Sequence, residues 1–435
     1  MTPQPDRLTA APAQPVQSAR LRSLQALGIF CGFAAGAWLG GAEAPIKLVN
    51  PEISPVTVSL IMVCGVFLAR WSVPAFLRGT SHLRHDIRQA PHLVIWAVLA
   101  GCMWAVANTL TIYAIRNVGL SIAFPLWNTN SLLGIFWGWL LFKELHYAGW
   151  KRWLGVLGGA FCMFAGATLL AIASSHEAAP GRAALGIAAA LGAGILWGTM
   201  YIPYRKAYLT GMNPLSFITF FTVGELVTMS ALAISYRGGA SLWHELASAR
   251  SVLFWLMLGG FVWVIGDLFQ QYATKYVGIS RGIPLSNTNQ LWGLLWGVLV
   301  FHELQGGSHA VYAQVAGGSL LMALGAVAIA LSSANEREHS SWQDAAQREG
   351  ERYGVESEYV RAGMEGRAHQ EASMRRTLVD WILVIGTTAL FVALALLARF
   401  PQIHAHQGWA AALTVVMLFM AAWCGIFLWR TTQFR

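Results

Sequence analysis

The chain has 435 residues, 56% of them hydrophobic and only 11% charged, with a mean hydropathy of +0.51. Soluble globular domains carry about 25% charged residues, so this composition excludes a water-soluble enzyme and points to an integral membrane protein. The net charge of +9 would suit nucleic acid only if the basic residues clustered on a soluble face, and they do not. In chain order, residues 1–23 are rich in Pro, Ala and Gln and read as a disordered cytoplasmic leader. No short apolar run ends in a small-residue cleavage site, so no removable signal peptide is expected. Hydropathy then predicts spans near 24–42, 56–76, 92–109, 119–142 and 151–173, and five more near 183–202, 214–236, 252–271, 278–301 and 311–332. Residues 333–375 carry dense mixed charge and read as a partly helical cytoplasmic linker. Two last spans, near 376–397 and 409–430, complete an appended transmembrane hairpin within 376–435. Each span can cross a hydrocarbon core of roughly 30 Å at about 1.5 Å per residue.

Placing the N-terminus in the cytoplasm puts 22 Lys and Arg on the inner side, Arg70 and Arg205 among them. Six fall outside, and Arg281 is left at a helix start. That asymmetry is the positive-inside signature of a cell (inner) membrane protein with both termini cytoplasmic, and it argues against nucleic acid as a partner. All five cysteines lie inside apolar spans without metal-ligand spacing, so they read as small buried hydrophobes, with no metal or cofactor implied.

The chain also repeats itself. L-V-I-W-A-V-L-A-G-C-M-W (93–104) aligns with V-L-F-W-L-M-L-G-G-F-V-W (252–263), and the register runs without gaps to F-K-E-L (142–145) against F-H-E-L (301–304). The offset is 159 residues, and roughly 20 of the 53 aligned positions are identical, which marks a true internal repeat. A weaker match joins 27–36 to 185–194. The unit is five spans: 24–173 and 183–332. Because five is odd, the second copy enters the membrane from the opposite side. The expected fold class is therefore an all-α integral membrane protein, a ten-helix inverted 5+5 repeat bundle plus a C-terminal two-helix hairpin. Inverted repeats are the architecture of many secondary transporters, with substrate held near the midplane between the repeats.

The fourth span of each repeat carries a matched polar insert, P-L-W-N-T-N (125–130) and P-L-S-N-T-N (284–289). On an α-helix Asn130, Gly134 and Gly138 stack four apart, as do Asn289, Gly293 and Gly297. Small residues at that spacing let helices approach closely, so these six read as helix-packing positions, with the fourth span facing the ninth. Asn128 and Asn287 point about 200° away at 100° per residue. Pro125 and Pro284 lie one turn earlier and each frees a carbonyl, those of Ser121 and Ser280. Polar groups are tolerated at membrane depth where they line a cavity. The expected substrate contacts are thus Asn128, Asn287, Thr129, Thr288, Trp127, Ser286, Pro125 and Pro284. Two intramembrane acids, Glu225 (opposite Phe67 in the other copy) and Asp267 (opposite Asn108), are read as proton-coupling residues, Asp267 with Arg281 or Lys275 as partner. Glu144 and Glu303, at helix ends beside water, read as structural.

Ten spans as two inverted fives, with F-x-E-L ending each fourth helix and the segment G-D-L-F-Q-Q-Y-A-T-K-Y-V-G-I-S-R-G-I-P-L-S-N-T-N-Q-L-W-G (266–293), resemble the drug/metabolite transporter superfamily. The resemblance is to its sugar-uptake branch, the glucose/ribose uptake proteins and more distantly the rhamnose–proton symporter. It implies a secondary transporter that moves a sugar or similar small polar metabolite, with protons as the coupling partner. No protease, hydrolase, Walker or dinucleotide motif is present, so an enzyme is not expected and no cofactor is implied. Two other readings stay open from the residues alone: an exporter of metabolites or drugs on the same fold, and a membrane sensor or scaffold. A homodimer or a partner protein held through the C-terminal hairpin also stays open.

Overall fold

A computed structural model of the chain describes residues 15–42, 44–47, 53–118, 123, 126–173, 183–366, 376–399 and 405–434. These form an all-α bundle. Ten helices are long and apolar enough to cross a membrane, and the fourth and ninth spans appear as shorter, interrupted helices, so the protein is multi-pass. The first repeat contains α1 (Pro15–Gly41), α2 (Pro55–Leu77), a short amphipathic α3 (Ser81–Gln89), α4 (His92–Val118), α5 (Asn130–Phe142) and α6 (Gly149–Ala173). The second contains α7 (Ala183–Leu209), α8 (Pro214–Arg237), the connecting α9 (Gly239–Ser248), α10 (Leu253–Val277), the pair α11 (Ile279–Ser286) and α12 (Asn289–Leu295), and α13 (His309–Leu331). Helices α14 (Glu336–Arg352) and α15 (Ser357–Met364) follow, then the hairpin α16 (Leu378–Leu397) and α17 (Gln407–Thr432).

Local signals recur in both copies. Ser54 caps α2 and Asn213 caps α8, each accepting a backbone N–H and each followed by a proline at the first helical position, where proline's preset φ and missing donor cost nothing. The two copies then pack around a pseudo-two-fold axis. Helix α1 lies on α10 as α7 lies on α4. Helix α2 lies on α10 as α8 lies on α4, while α2 meets α8, and α6 meets α13, across the axis itself. Glycines show the same symmetry at atomic scale. A Cβ at Gly65 would strike the Met257 carbonyl, and one at the equivalent Gly224 would strike that of Val98. Gly260 faces the Met62 carbonyl as Gly101 faces that of Phe221. With no water to drive association, such backbone-to-backbone approach is the main source of helix adhesion in a bilayer. This register places Val66, not Phe67, opposite Glu225.

The fourth and ninth spans differ from the expected continuous helices. Helix α11 stops at Ser286 and α12 begins at Asn289, and α5 begins at Asn130. The threonines explain the interruption. Thr129 and Thr288 turn their hydroxyls back onto the carbonyls of Leu126 (2.7 Å) and Leu285 (2.8 Å), and Pro284 cannot donate in the turn before. The ninth span closes in a π-helical turn, Trp296–Val300. The hairpin clasps one edge of the bundle, α16 against α2 and α17 against α1, with the Trp38 indole donating to the Met417 carbonyl at 2.9 Å.

Candidate functional site

The two interruptions meet near the axis. Asn128, Ser131, Pro284, Asn287 and Gln290 line a small cavity whose remaining wall comes from α6 and α13, including Met163 and Met322. Asn128 and Asn287 are equivalent by the repeat, as are Ser131 and Gln290, and Met163 and Met322. The polar side chains bond reciprocally across the repeats. Asn287 Nδ2 donates to Ser131 Oγ at 2.5 Å, and Gln290 Nε2 donates to Asn128 Oδ1 at 3.0 Å. Among the described residues, Asn128 Nδ2 and Gln290 Oε1 are buried without a hydrogen-bond partner. A buried donor and acceptor left open cost about 1–3 kcal/mol each, so they fit a ligand that supplies both functions, as a hydroxyl does. The cavity leaves about 10 Å³ for a water's centre, room for roughly one water.

Of the eight expected substrate contacts, Asn128, Asn287 and Pro284 line this cavity, and Pro125 lies outside the described residues. Thr129 and Thr288 face helices instead: a Cβ at Gly194 of α7 would meet Thr129 Oγ1, and one at Gly36 of α1 would meet Thr288 Oγ1. Trp127 stands edge-on to Trp197 of α7 with centroids 6.2 Å apart. Ser286 is fully buried and accepts from Gln270 Nε2 at 2.6 Å. Asn130 is buried with its amide oxygen on Ser131 Oγ at 3.3 Å, and neither it nor Asn289 lines the cavity. The glycine stripes divide between two surroundings, the first helix of the opposite repeat and the ends of the fourth and ninth spans themselves. Gly134 sits beside Tyr201 of α7 and Gly293 beside the Gly40 carbonyl of α1, whereas Gly138 meets Ser280 of α11 and Gly297 meets Glu303. Ser131 and Gln290 were missed from sequence because they differ between the copies, although they follow Asn128 and Asn287 by three, the spacing of one helix face.

The two acids belong to a second buried constellation. Arg70 of α2 donates from Nη1 to Glu225 Oε2 and from Nη2 to Asp267 Oδ2, both at 2.8 Å, and all three side chains are at most 1% exposed. Arg70 is thus no loop residue: it lies inside a span, its guanidinium 4.2 Å from the Phe221 ring centre. Gln271 Nε2 donates to Asp267 Oδ1 at 2.8 Å. The partner expected for Asp267 is corrected accordingly, because Arg281 bonds Glu338 instead. The positions equivalent to Arg70, Glu225 and Asp267 are Met229, Val66 and Asn108, so the charge sits on one side of the axis only. Gln270, one turn beyond Asp267 on α10, reaches Ser286, the neighbour of Asn287. The triad and the cavity thus lie on neighbouring stretches of α10 and α11, with Gln271 bonded to Asp267 and Gln270 bonded to Ser286. Glu144, expected beside water, is fully buried and bonded to Arg205 Nε at 2.8 Å, whereas Glu303 is exposed as expected.

Interrupted helices that meet at a polar cavity between two inverted repeats recur in membrane transporters. Comparison with known proteins agrees. Residues 188–352 match the model of the family described as Sugar transport protein. A Listeria innocua protein named for sugar uptake is 22% identical over 238 residues, 54% of this chain and 77% of that one. The glucose uptake protein of Staphylococcus xylosus is 24% identical over 216 residues, 48% of this chain and 69% of its own. A Streptococcus pyogenes protein, also named for sugar uptake, is 41% identical over 80 residues, 18% of this chain and 26% of that protein. These similarities bear out the resemblance to the sugar-uptake branch.

Proposed function

We propose that this protein is a secondary active transporter that takes up a sugar by alternating access, coupled to protons. The observation that carries the reading is the reciprocal amide–hydroxyl cavity between the repeats, with one buried donor and one buried acceptor unused. A sugar hydroxyl offers both functions. At about 10 Å³ the cavity is too small for a sugar, so binding requires α5 and α11–α12 to separate, as rocking of one repeat against the other would achieve. Coupling is assigned to Glu225 and Asp267. Two carboxylates share one guanidinium, so a single proton on either acid makes the triad neutral, and buried charge is costly unless balanced. The Gln270–Ser286 contact gives that proton a route of influence on Asn287. The excess of basic residues orients the face carrying α14, with both chain ends, to the cytoplasm.

The test is uptake of labelled sugars into proteoliposomes under an imposed proton gradient. Wild type should accumulate at least one sugar above its external concentration, and Glu225→Gln should lose accumulation while still exchanging sugar across the bilayer. Accumulation by the variant equal to wild type would remove Glu225 from coupling. Accumulation only of non-sugar metabolites or drugs would overturn the substrate class.

A further inference from the structure

The linker between the bundle and the hairpin was expected to be a charged cytoplasmic spacer, yet α14 and α15 are bound to both repeats. Glu338 of α14 is fully buried and forms a two-pronged ion pair with Arg281 at the start of α11, at 2.8 and 3.0 Å. The same carboxylate accepts the Leu145 backbone N–H at 3.0 Å, so it holds the ninth span to the turn after the fourth. Four residues on, Trp342 is 2% exposed and lies under the Arg205 guanidinium, 4.4 Å from its ring centre. Arg205 in turn pairs with Glu144, which accepts the backbone N–H groups of Ile279 (3.2 Å) and Ser280 (2.9 Å). At the periphery Lys206 reaches Glu349 at 2.7 Å. This end of α5 and α11 is therefore closed by two stacked buried ion pairs, with α14 as the outer layer.

Two features show that the closure is built for α14 and is not a by-product of folding. Arg281 occupies the third position of α11, where the helix dipole disfavours a cation, and it is buried to 1%. Among the described residues, the Glu338 carboxylate and the Ser332 carbonyl, 2.7 Å away, compensate it. The equivalent residue in the first repeat is Ile122, so the charge departs from the repeat where Glu338 of α14 docks. At the other end of the bundle Glu303, the counterpart of Glu144, is exposed. The family match runs through residue 352, the last residue of α14, which places this helix with the transport core and apart from the hairpin.

We infer that α14 is the gate of this face: the Glu338–Arg281 pair, backed by Trp342 on Arg205, locks α11 against the α5–α6 turn and must release before the cavity opens to this side. The inference rests on the alternating-access reading, but its test needs no transport. Ser280 lies under the seal, with its hydroxyl buried. In a background without native cysteines, Ser280→Cys is labelled by a water-soluble maleimide in detergent solution, and the rate is compared with that of Glu338→Gln. Weakening a local closure raises the open population, so labelling should accelerate roughly tenfold. Glu349→Gln is the second variant, since it loosens only the part-exposed Lys206 clamp and leaves no buried charge behind. It should give a smaller acceleration, roughly two- to fivefold. Labelling of both variants at the reference rate overturns the gate, and if Glu338→Gln fails to fold, an unchanged rate in Glu349→Gln overturns it alone. A parallel arm adds D-glucose. If glucose leaves every rate unchanged while the variants accelerate, the gate stands and glucose as the bound sugar is what fails.

Discussion

At the scale of single residues, the two Asn-Thr-Asn inserts divide their labour. Asn128 and Asn287 face each other's repeat through Gln290 and Ser131, while the threonines close the broken turns on Leu126 and Leu285. This division yields a graded expectation. Replacing Asn128 or Asn287 by Ala removes an amide from the cavity, and one neutral hydrogen bond is worth about 0.5–1.5 kcal/mol. The half-saturating sugar concentration should therefore rise roughly three- to tenfold in each, as RT sets about 1.4 kcal/mol per decade. Asn130→Ala and Asn289→Ala should stay within about twofold, because neither side chain reaches the cavity. Concentration-dependent uptake kinetics decide it; the reverse order would place the ligand against the glycine stripes. That the two asparagines of each insert point different ways was legible from their spacing, whereas the break in the helix between them was not. Arg70 was not, because a hydropathy window treats an arginine near the end of a span as a loop charge, and its two acids lie 155 and 197 residues away.

At the scale of helices, adhesion comes from backbone approach at equivalent glycines more than from any single side chain. Helices α4 and α8 cross where Gly101 and Gly224 each admit the other's carbonyl, and α2 and α10 cross likewise at Gly65 and Gly260. A methyl group at Gly101 or Gly260 has only backbone to displace, and overpacking of this kind costs about 1–3 kcal/mol. Gly101→Ala and Gly260→Ala should thus lower the melting temperature by similar amounts, since they are the same position in two copies. Gly158 of α6 is the control: a Cβ there meets nothing within 4 Å, and alanine in a helix is favoured over glycine by about 1 kcal/mol. Gly158→Ala should leave the melting temperature unchanged or higher. Unequal losses at Gly101 and Gly260 would show that the two crossings do not carry comparable load. The repeat itself was legible from the 159-residue offset, and the spans from hydropathy. The partner of each stripe was not, because small residues fix how near two helices come and not which helix comes.

At the scale of the whole molecule, the symmetric bundle is bound by asymmetric parts: the triad on one side of the axis, the hairpin on one edge, and α14 on one face. That asymmetry was hidden in sequence because it depends on contacts between segments far apart, of which Gln25 and His339 are the clearest. Gln25 of α1 donates to the Ala334 carbonyl at 2.7 Å and lies 2.5 Å from His339 Nε2, which ties the start of the chain to α14. As Gln25 Nε2 is a donor, His339 Nε2 must be the unprotonated acceptor, and the ring is neutral. Burial, with Arg205 and Arg281 nearby, pushes this imidazole down to about 4 against the pull of Glu338. A histidine in the unfolded chain titrates near 6.5. Between about pH 6.5 and pH 4 the unfolded chain therefore binds a proton that the folded one does not, and stability falls as pH falls through that window, by on the order of a few kcal/mol in all. Buried His82 is likewise pushed down to about 4 and adds a slope of the same sign. The contribution of His339 is accordingly the difference between wild type and His339→Gln, whose amide does not titrate. Melting temperatures measured from pH 7 to pH 4.5 should fall less steeply in the variant, and the two curves should converge as the medium becomes acidic. Parallel curves would mean that His339 takes up its proton equally in the folded and unfolded chain and that the Gln25 contact does not keep the ring neutral. Because the contact joins α1 to α14, the labelling rate of Ser280→Cys relative to that of Ser280→Cys/His339→Gln should also rise on acidification, while both rates fall with the thiolate fraction.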